Sequence, residues 1–365
     1  MNLDLQKKHH KSSLHSIAPY VGKLRPDVVS TLIEKYSNSD TTIFDPFCGS
    51  GTVPLEAWIM GRKSIGIDLN YYAYVISMAK LFPYKDFETA KKHIEHYCNI
   101  LKSKNGIVNE KEIPDWIKVF FHPDTLREIV AWTDLLVDNN DFFTLACLLG
   151  ILHHQRPGFL SYPSSHGAPY LRNNKYPKED FPEMYEYRNV YDRLIKKVER
   201  TYKAMPELNF SQSREILNMD TLSTNIASSD ITIITSPPYM KSLTYARDNR
   251  MRLWFLGHQN WEALDRKVSM GKEDFSKLMT GCFDMWSSIQ KKGNYCIVVV
   301  GDILFDNAQK KTIPDMICDM ANKFSYSTID VLDYPINQSR KIVKTESKIK
   351  TEKICIFRRQ GDNDE

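Results

Sequence analysis

The chain has 365 residues, 42% of them hydrophobic and 26% charged, with a formal net charge of +4. That is an ordinary soluble profile, long enough for one large domain with an insertion or for two domains. So small a net charge does not argue for nucleic acid by itself, and the longest apolar run, Leu145 to Leu152, is too short to span a bilayer.

Residues 1–14 are polar, carry no apolar signal segment and read as a solvated tail, although His9, His10 and His15 lie close together. Pro26 suits the first turn of a helix, and Val28, Val29, Leu32, Ile33 and Tyr36 follow at helical spacing. A short strand, Thr42-Ile43-Phe44, leads into Asp45-Pro46-Phe47-Cys48-Gly49-Ser50-Gly51-Thr52, and a helical pattern runs from Val53 to Met60. Strand, glycine-rich turn and helix open a nucleotide-binding βαβ unit. Gly49 and Gly51 allow a tight bend, and the helix start at Ser50-Gly51-Thr52 is expected to offer free N–H groups. The next strand, Lys63 to Ile67, ends at Asp68, where a carboxylate can take both hydroxyls of a ribose. A helix over about 70–81 then closes the first half of an α/β sheet.

Residues 84–213 break this rhythm. Ile94, Tyr97, Cys98 and Leu101 mark one amphipathic helix, Pro123-Asp124 starts another, Phe142 to Leu152 is apolar all round, and Tyr187 to Tyr202 is a long helix. This is a helical insertion or a small second domain. At its centre, His153 to Lys178 holds Arg156, Arg172, Lys175 and Lys178 with no acidic residue, interleaved with Phe159, Tyr162, Tyr170 and Tyr176. Cations for phosphates and aromatics for bases compose a nucleic-acid surface. The alternative is a loop whose aromatics tuck back onto the insertion.

The sheet resumes at Glu215 to Leu217, followed by Asp220, which can cap a short helix. Ile231 to Ile234 reads as a buried strand that ends in Thr235-Ser236-Pro237-Pro238-Tyr239. Two prolines hold their carbonyls stiffly, Ser236 adds an accepting hydroxyl and Tyr239 a flat ring. Together they suit a planar group carrying an NH2, although a proline-rich exit with Tyr239 as a packed lid would look the same. Beyond lie Lys241, Arg247 and Arg250, close in sequence to that motif. Helices over about 274–289 and 313–323 alternate with strands over 295–300, 327–332 and 353–358. The last two strands read as a hairpin whose connection carries Arg340, Lys341, Lys344, Lys348 and Lys350. Seven cysteines show no metal-ligand spacing and read as core residues of a reducing compartment.

Asp-Pro-Phe-x-Gly-Ser-Gly-Thr and Thr-Ser-Pro-Pro-Tyr together resemble the two signatures of the S-adenosylmethionine-dependent DNA amino-methyltransferases. Ser ahead of Pro-Pro-Tyr is the form associated with cytosine N4; adenine-N6 members more often carry Asp or Asn there. The resemblance spans roughly residues 15–80 and 214–359. It implies an α/β, Rossmann-like methyltransferase sheet with helices on both faces and a mostly helical insertion. It assigns 1–83 and 214–365 to catalysis, and leaves 84–213 as a candidate target-recognition region. It implies S-adenosylmethionine as cofactor, held by Asp45, Pro46, Phe47, Gly49, Ser50, Gly51, Thr52, Asp68 and Asp220, with Tyr20 and Lys23 folding over its methionine end. Ser236, Pro237, Pro238 and Tyr239 become the catalytic group. Arg156, Tyr162, Arg172, Lys175, Lys241, Arg247 and Arg250 become DNA contacts. The implied partners are double-stranded DNA and a cognate restriction endonuclease, with no metal and no membrane, in the cytoplasm. An RNA base methyltransferase and a non-catalytic DNA-binding relative are the alternative readings.

Overall fold

The computed structural model describes residues 12–103, 112–227, 229–238, 245–268, 270–306, 310–335 and 351–361. Nine strands and thirteen α-helices can be followed among these residues. The first half runs α1 (Pro26–Tyr36), β1 (Thr42–Asp45), α2 (Thr52–Ile59), β2 (Lys63–Ile67) and α3 (Tyr71–Leu81). The insertion supplies α4 (Phe87–Ser103), α5 (Asp115–Lys118), α6 (Pro123–Asp138), α7 (Phe142–Gly150) and α8 (Val190–Tyr202). Then come β3 (Arg214–Leu217), β4 (Ile231–Thr235), α9 (Tyr245–Asp248), α10 (Arg250–Phe255), α11 (Trp261–Val268), α12 (Lys272–Ile289) and β5 (Tyr295–Gly301). A small hairpin, β6 (Leu304–Asp306) with β7 (Lys311–Thr312), precedes α13 (Ile313–Lys323), β8 (Tyr326–Pro335) and β9 (Thr351–Arg359).

Seven strands form one sheet in the order β3-β2-β1-β4-β5-β9-β8. β3 through β5 are parallel, and β9 runs antiparallel between β5 and β8. The order reverses between β1 and β4, so the loops leaving those two strands flank a crevice at the carboxyl edge. Such a switch point is where open α/β sheets bind ligands.

The strands alternate as a two-sided sheet requires. Phe44, Ile233, Val298 and Phe357 face α12 and α13 on one side. Ile43, Ile234, Ile297 and Ile356 face α1 and α2 on the other. The central strands read as nearly continuous apolar runs because both faces are covered.

The helical insertion is not a separate body. Its buried side chains share one apolar cluster with Leu55 and Trp58 of α2 and with Tyr72, Val75 and Ile76 of α3. α7 lies against α3 because residues 142–150 are apolar on every side and need burial all round.

The expected solvated tail is corrected at its end. Ser13–Ser16 form a 3-10 turn, and Leu14 and His15 are buried. His15 Nε2 lies 2.6 Å from Glu56 Oε1, itself buried in α2. Burial pushes the His15 imidazole down to about 4, so it is neutral at physiological pH and the contact with Glu56 is a hydrogen bond, not an ion pair. Residues 1–11, with His9 and His10, lie outside the described residues, as does the basic connection at 336–350.

Candidate active site

β1 delivers Asp45 to the crevice and β4, its direct neighbour, delivers Thr235. The Thr235 hydroxyl donates to Asp45 Oδ1 at 2.6 Å. One hydrogen bond therefore ties the glycine-rich loop to the Ser-Pro-Pro exit. Phe47 N–H donates to the same carboxylate oxygen at 3.1 Å and starts the turn.

The turn closes on itself. Gly49 (φ +51) and Gly51 (φ +68) occupy the left-handed region, where a side chain would be strained. Gly49 N–H donates to Asp68 Oδ2 at 2.8 Å, and Gly51 N–H donates to the Cys48 carbonyl at 2.8 Å. The expectation of free N–H groups at Ser50-Gly51-Thr52 is thus corrected at Gly51. The donors serve Asp68 and the loop itself, so this is not the cradle a phosphate would need. Asp68 Oδ1 takes Asn70 N–H at 2.8 Å, which fixes both carboxylate oxygens.

A cavity of about 790 Å³, counted to its open mouth, lies over this frame. Tyr20, Pro46, Phe47, Gly49 and Asp68 line it from the first half of the sheet, and Asp220, Ser236 and Pro238 from the second. Met219 and Leu278 add apolar walls, and Lys267 of α11 reaches its wall.

Of the sequence-derived cofactor residues, Lys23, Asp45, Ser50, Gly51 and Thr52 do not line the cavity. Asp45 sits behind the turn. Ser50 is buried and its hydroxyl accepts from Lys80 Nζ at 3.3 Å. Gly51 packs against Ser77, and Thr52 is buried at the start of α2. Lys23 Nζ donates to the His15 carbonyl at 3.0 Å. Asp220 has both expected placements: it lines the cavity and its carboxylate caps the turn at Leu222 N–H, 3.0 Å away. Pro237 is buried beside the lining residues Ser236 and Pro238, and Tyr239 lies outside the described residues.

Asn70 was not singled out from sequence. Its Oδ1 caps α3 through Tyr72 N–H at 3.0 Å, and its buried Nδ2 has no hydrogen-bond partner among the described residues. It lines the cavity beside Asp68. A cap residue directly after the β2 acid was the available signal.

Burial pushes the Asp45 carboxyl up to about 7, eased by Thr235 and Phe47 N–H. Burial likewise raises Asp68 to about 6, eased by Asn70 and Gly49 N–H. The Asp68 carboxyl, which lines the cavity, would return to the ionised form beside a positive ligand. An adenosine carrying a sulfonium fits this frame: the Asp68 carboxylate for ribose, with Met219 and Leu278 as apolar walls for a base.

The candidate DNA residues are less uniform. Arg156 and Lys175 are exposed, while Arg172 is half-buried on Gln155 Oε1 at 2.5 Å. Tyr162 leans on Tyr185, with ring centroids 5.0 Å apart, and Tyr176 on Phe181 at 5.4 Å. Those rings tuck back, whereas Tyr170 stays 53% exposed. Arg250 Nη2 donates to the Pro169 carbonyl at 2.9 Å, which joins the loop to the segment after β4. Arg247 is exposed beside Asp248, and Lys241 lies outside the described residues.

Sheet order and cavity define an open α/β fold with a ligand site at its topological switch point. Residues 4–79 match a family model described as DNA methylase. It is 37% identical over 103 residues to the Type II methyltransferase M.MjaII of Methanocaldococcus jannaschii, covering 28% of this chain and 19% of that protein. It is 26% identical over 276 residues to the Type II methyltransferase M.BsoBI of Geobacillus stearothermophilus, covering 67% of this chain and 53% of that one. The chain thus spans about a fifth and about half of the lengths of these relatives. A solved SAM-dependent methyltransferase of Methanosarcina mazei overlays with a TM-score of 0.37 at 10% identity, over 93% of this chain and 100% of that one. An overlay that loose carries no weight.

Proposed function

We propose that this chain transfers the methyl group of S-adenosylmethionine to the exocyclic N4 amine of a cytosine turned out of duplex DNA. The observation that carries the reading is one cavity lined by Gly49, Asp68 and Asp220 from the cofactor side and by Ser236 and Pro238 from the other. When bound, the cofactor supplies an electrophilic methyl on a sulfonium. Asp68 takes the ribose hydroxyls, Asn70 Nδ2 adds a donor, and Tyr20 closes over Gly49.

The N4 lone pair is delocalised into the pyrimidine ring and attacks poorly. Ser236 Oγ and the Pro237 carbonyl accept the two N–H groups and draw the nitrogen toward tetrahedral geometry. Its lone pair then points toward the donor, and the proton leaves after attack. Holding the two reactants in line supplies most of the gain, with fixed dipoles where charge develops. A base inside a duplex is out of reach, so it is extruded, and Tyr239 stacks on it. Ser rather than Asp or Asn ahead of Pro-Pro-Tyr favours cytosine N4 over adenine N6. The printed names of both relatives, Type II methyltransferases, support a modification enzyme paired with an endonuclease.

Tritiated-methyl transfer to unmodified DNA and to tRNA, followed by nucleoside digestion, tests the reading. Label in N4-methylcytosine is expected. Label in N6-methyladenine, or in tRNA alone, contradicts it.

A further inference from the structure

We propose that Trp116, together with Tyr170 and anchored by Arg250, forms a base-stacking platform for the DNA strand beside the catalytic cavity. This rests on the DNA reading above and adds Trp116, which the sequence analysis did not single out, to Tyr170 and Arg250.

Trp116 sits on α5, whose other side is committed to the core through Ile117, followed by the buried Phe120 and Phe121. That spacing forces Trp116 and Val119 outward, and they are 38% and 52% exposed. An indole facing water on a four-residue helix costs apolar exposure unless something covers it.

The patch is built from three chain segments. The Arg250 guanidinium carbon lies 5.8 Å from the Trp116 ring centroid, within cation–π range. Arg250 also holds the Pro169 carbonyl, next to the exposed Tyr170. Tyr162 N–H donates to the Phe120 carbonyl at 2.7 Å, which pins the loop to the exit of α5. Tyr170 is itself fixed, because Ser165 N–H donates to its carbonyl at 3.0 Å. The platform is therefore tied by backbone hydrogen bonds, not hung on loose side chains.

Its connection to the cavity runs through α9 and α11. Arg250 opens α10 immediately after α9, and Ala246 N–H of α9 donates to Asp265 Oδ1 of α11 at 3.1 Å. Lys267, two residues on, reaches the cavity wall. Charge selects the occupant. Arg156, Lys175 and Lys178 are exposed on a loop with no acid between His153 and Lys178. Asp115 and Asp248 sit beside Lys118 and Arg247, and the acids that follow the loop, Glu179, Asp180, Glu183 and Glu186, lie beyond Lys178 in the chain. Aromatic faces set among cations fit a strand whose bases have lost a stacking neighbour, as they must next to an extruded base.

The test uses the full chain and a fluorescein-labelled single-stranded DNA oligonucleotide of mixed sequence, read by anisotropy. Trp116→Ala is expected to raise Kd about 10-fold, the range for losing one stacked base, and Trp116→Phe to recover most of it. Melting temperature and calorimetric affinity for S-adenosylmethionine should not move. The slope of log Kd against log salt should stay unchanged in Trp116→Ala but fall by about one in Lys175→Ala, because only the lysine meets phosphate. If the wild type methylates DNA and Trp116→Ala binds it equally well, the platform is wrong while the function stands. If the variant instead changes oligomeric state with DNA affinity intact, the patch is a self-contact and the proposal fails. A wild type that binds no nucleic acid overturns both.

Discussion

Asp45 and Asp68 are the residues on which the site turns, because each is a carboxyl that burial keeps partly protonated near neutral pH. If Asp68 takes the ribose hydroxyls as proposed, it does so ionised, so cofactor affinity should drop as pH falls through about 6, and calorimetry between pH 8 and pH 5 reads this directly. The effect on stability has the opposite sense. Both carboxyls hold protons more tightly in the folded chain than in the unfolded one. Their contribution is therefore greatest near pH 4 and is lost as pH rises through about 7. Asp45→Asn should stabilise the chain relative to wild type at pH 8, by on the order of a few kcal/mol, and hardly at all at pH 4. A melting difference that is the same at both pH values would contradict this. Ser236→Ala should leave cofactor affinity intact and slow turnover at least ~10-fold, consistent with loss of a fixed hydrogen-bond acceptor. Normal turnover in that variant would remove Ser236 from the mechanism.

Among elements, the junction of α7 with the N-terminal segment fixes where Tyr20 lies over Gly49. A Cβ on Gly150 would lie 2.1 Å from the Ile17 carbonyl oxygen, a backbone atom that cannot swing away. Three residues later Tyr20 covers Gly49, its ring 3.3 Å from where a Cβ there would sit. Gly150→Ala should thus lower stability by about 1–3 kcal/mol and also weaken cofactor binding, seen as a joint loss in melting temperature and calorimetric affinity. Loss of stability with unchanged affinity would separate Tyr20 from α7.

The elements also show what a sequence carries and what it does not. β1, β2, β4, β5 and β9 were legible because buried strands are short apolar runs with clear turns. α13 was legible from Ile313, Ile317 and Met320 at helical spacing, with Thr312 and Asp315 as a capping box. α10 was obscure because Arg252, which reads as a surface charge, is 1% exposed. It spends its donors on the Leu149 carbonyl and Asn249 Oδ1 and lies over Tyr72. The glycine turn was legible as a motif, but the destination of its N–H groups was not. Whether Gly49 donates to a ligand or to Asp68 depends on a residue nineteen positions away. Trp116 was illegible for the same reason, since its exposure follows from what Ile117 and Phe120 bury against.

At the scale of the molecule, one sheet joins two distant motifs, and the insertion shares its core with the sheet. Removing 84–213 would strip α3 of its cover at Tyr72, Val75 and Ile76. The excised sheet should lose cooperative thermal unfolding and cofactor binding; a sharp melt with retained affinity would show the insertion to be a dispensable domain. The central claim is that donor and acceptor meet between Gly49 and Ser236. A crystal of the chain with S-adenosylhomocysteine and its methylated-site duplex measures it most directly, as the position of the thioether sulfur relative to the target amine. The adenosine is predicted to lie on Asp68 and Asp220, with the amine on Ser236 Oγ and a gap to sulfur that one methyl group fills. An extruded base seated away from Ser236, or a cofactor outside this cavity, would contradict it.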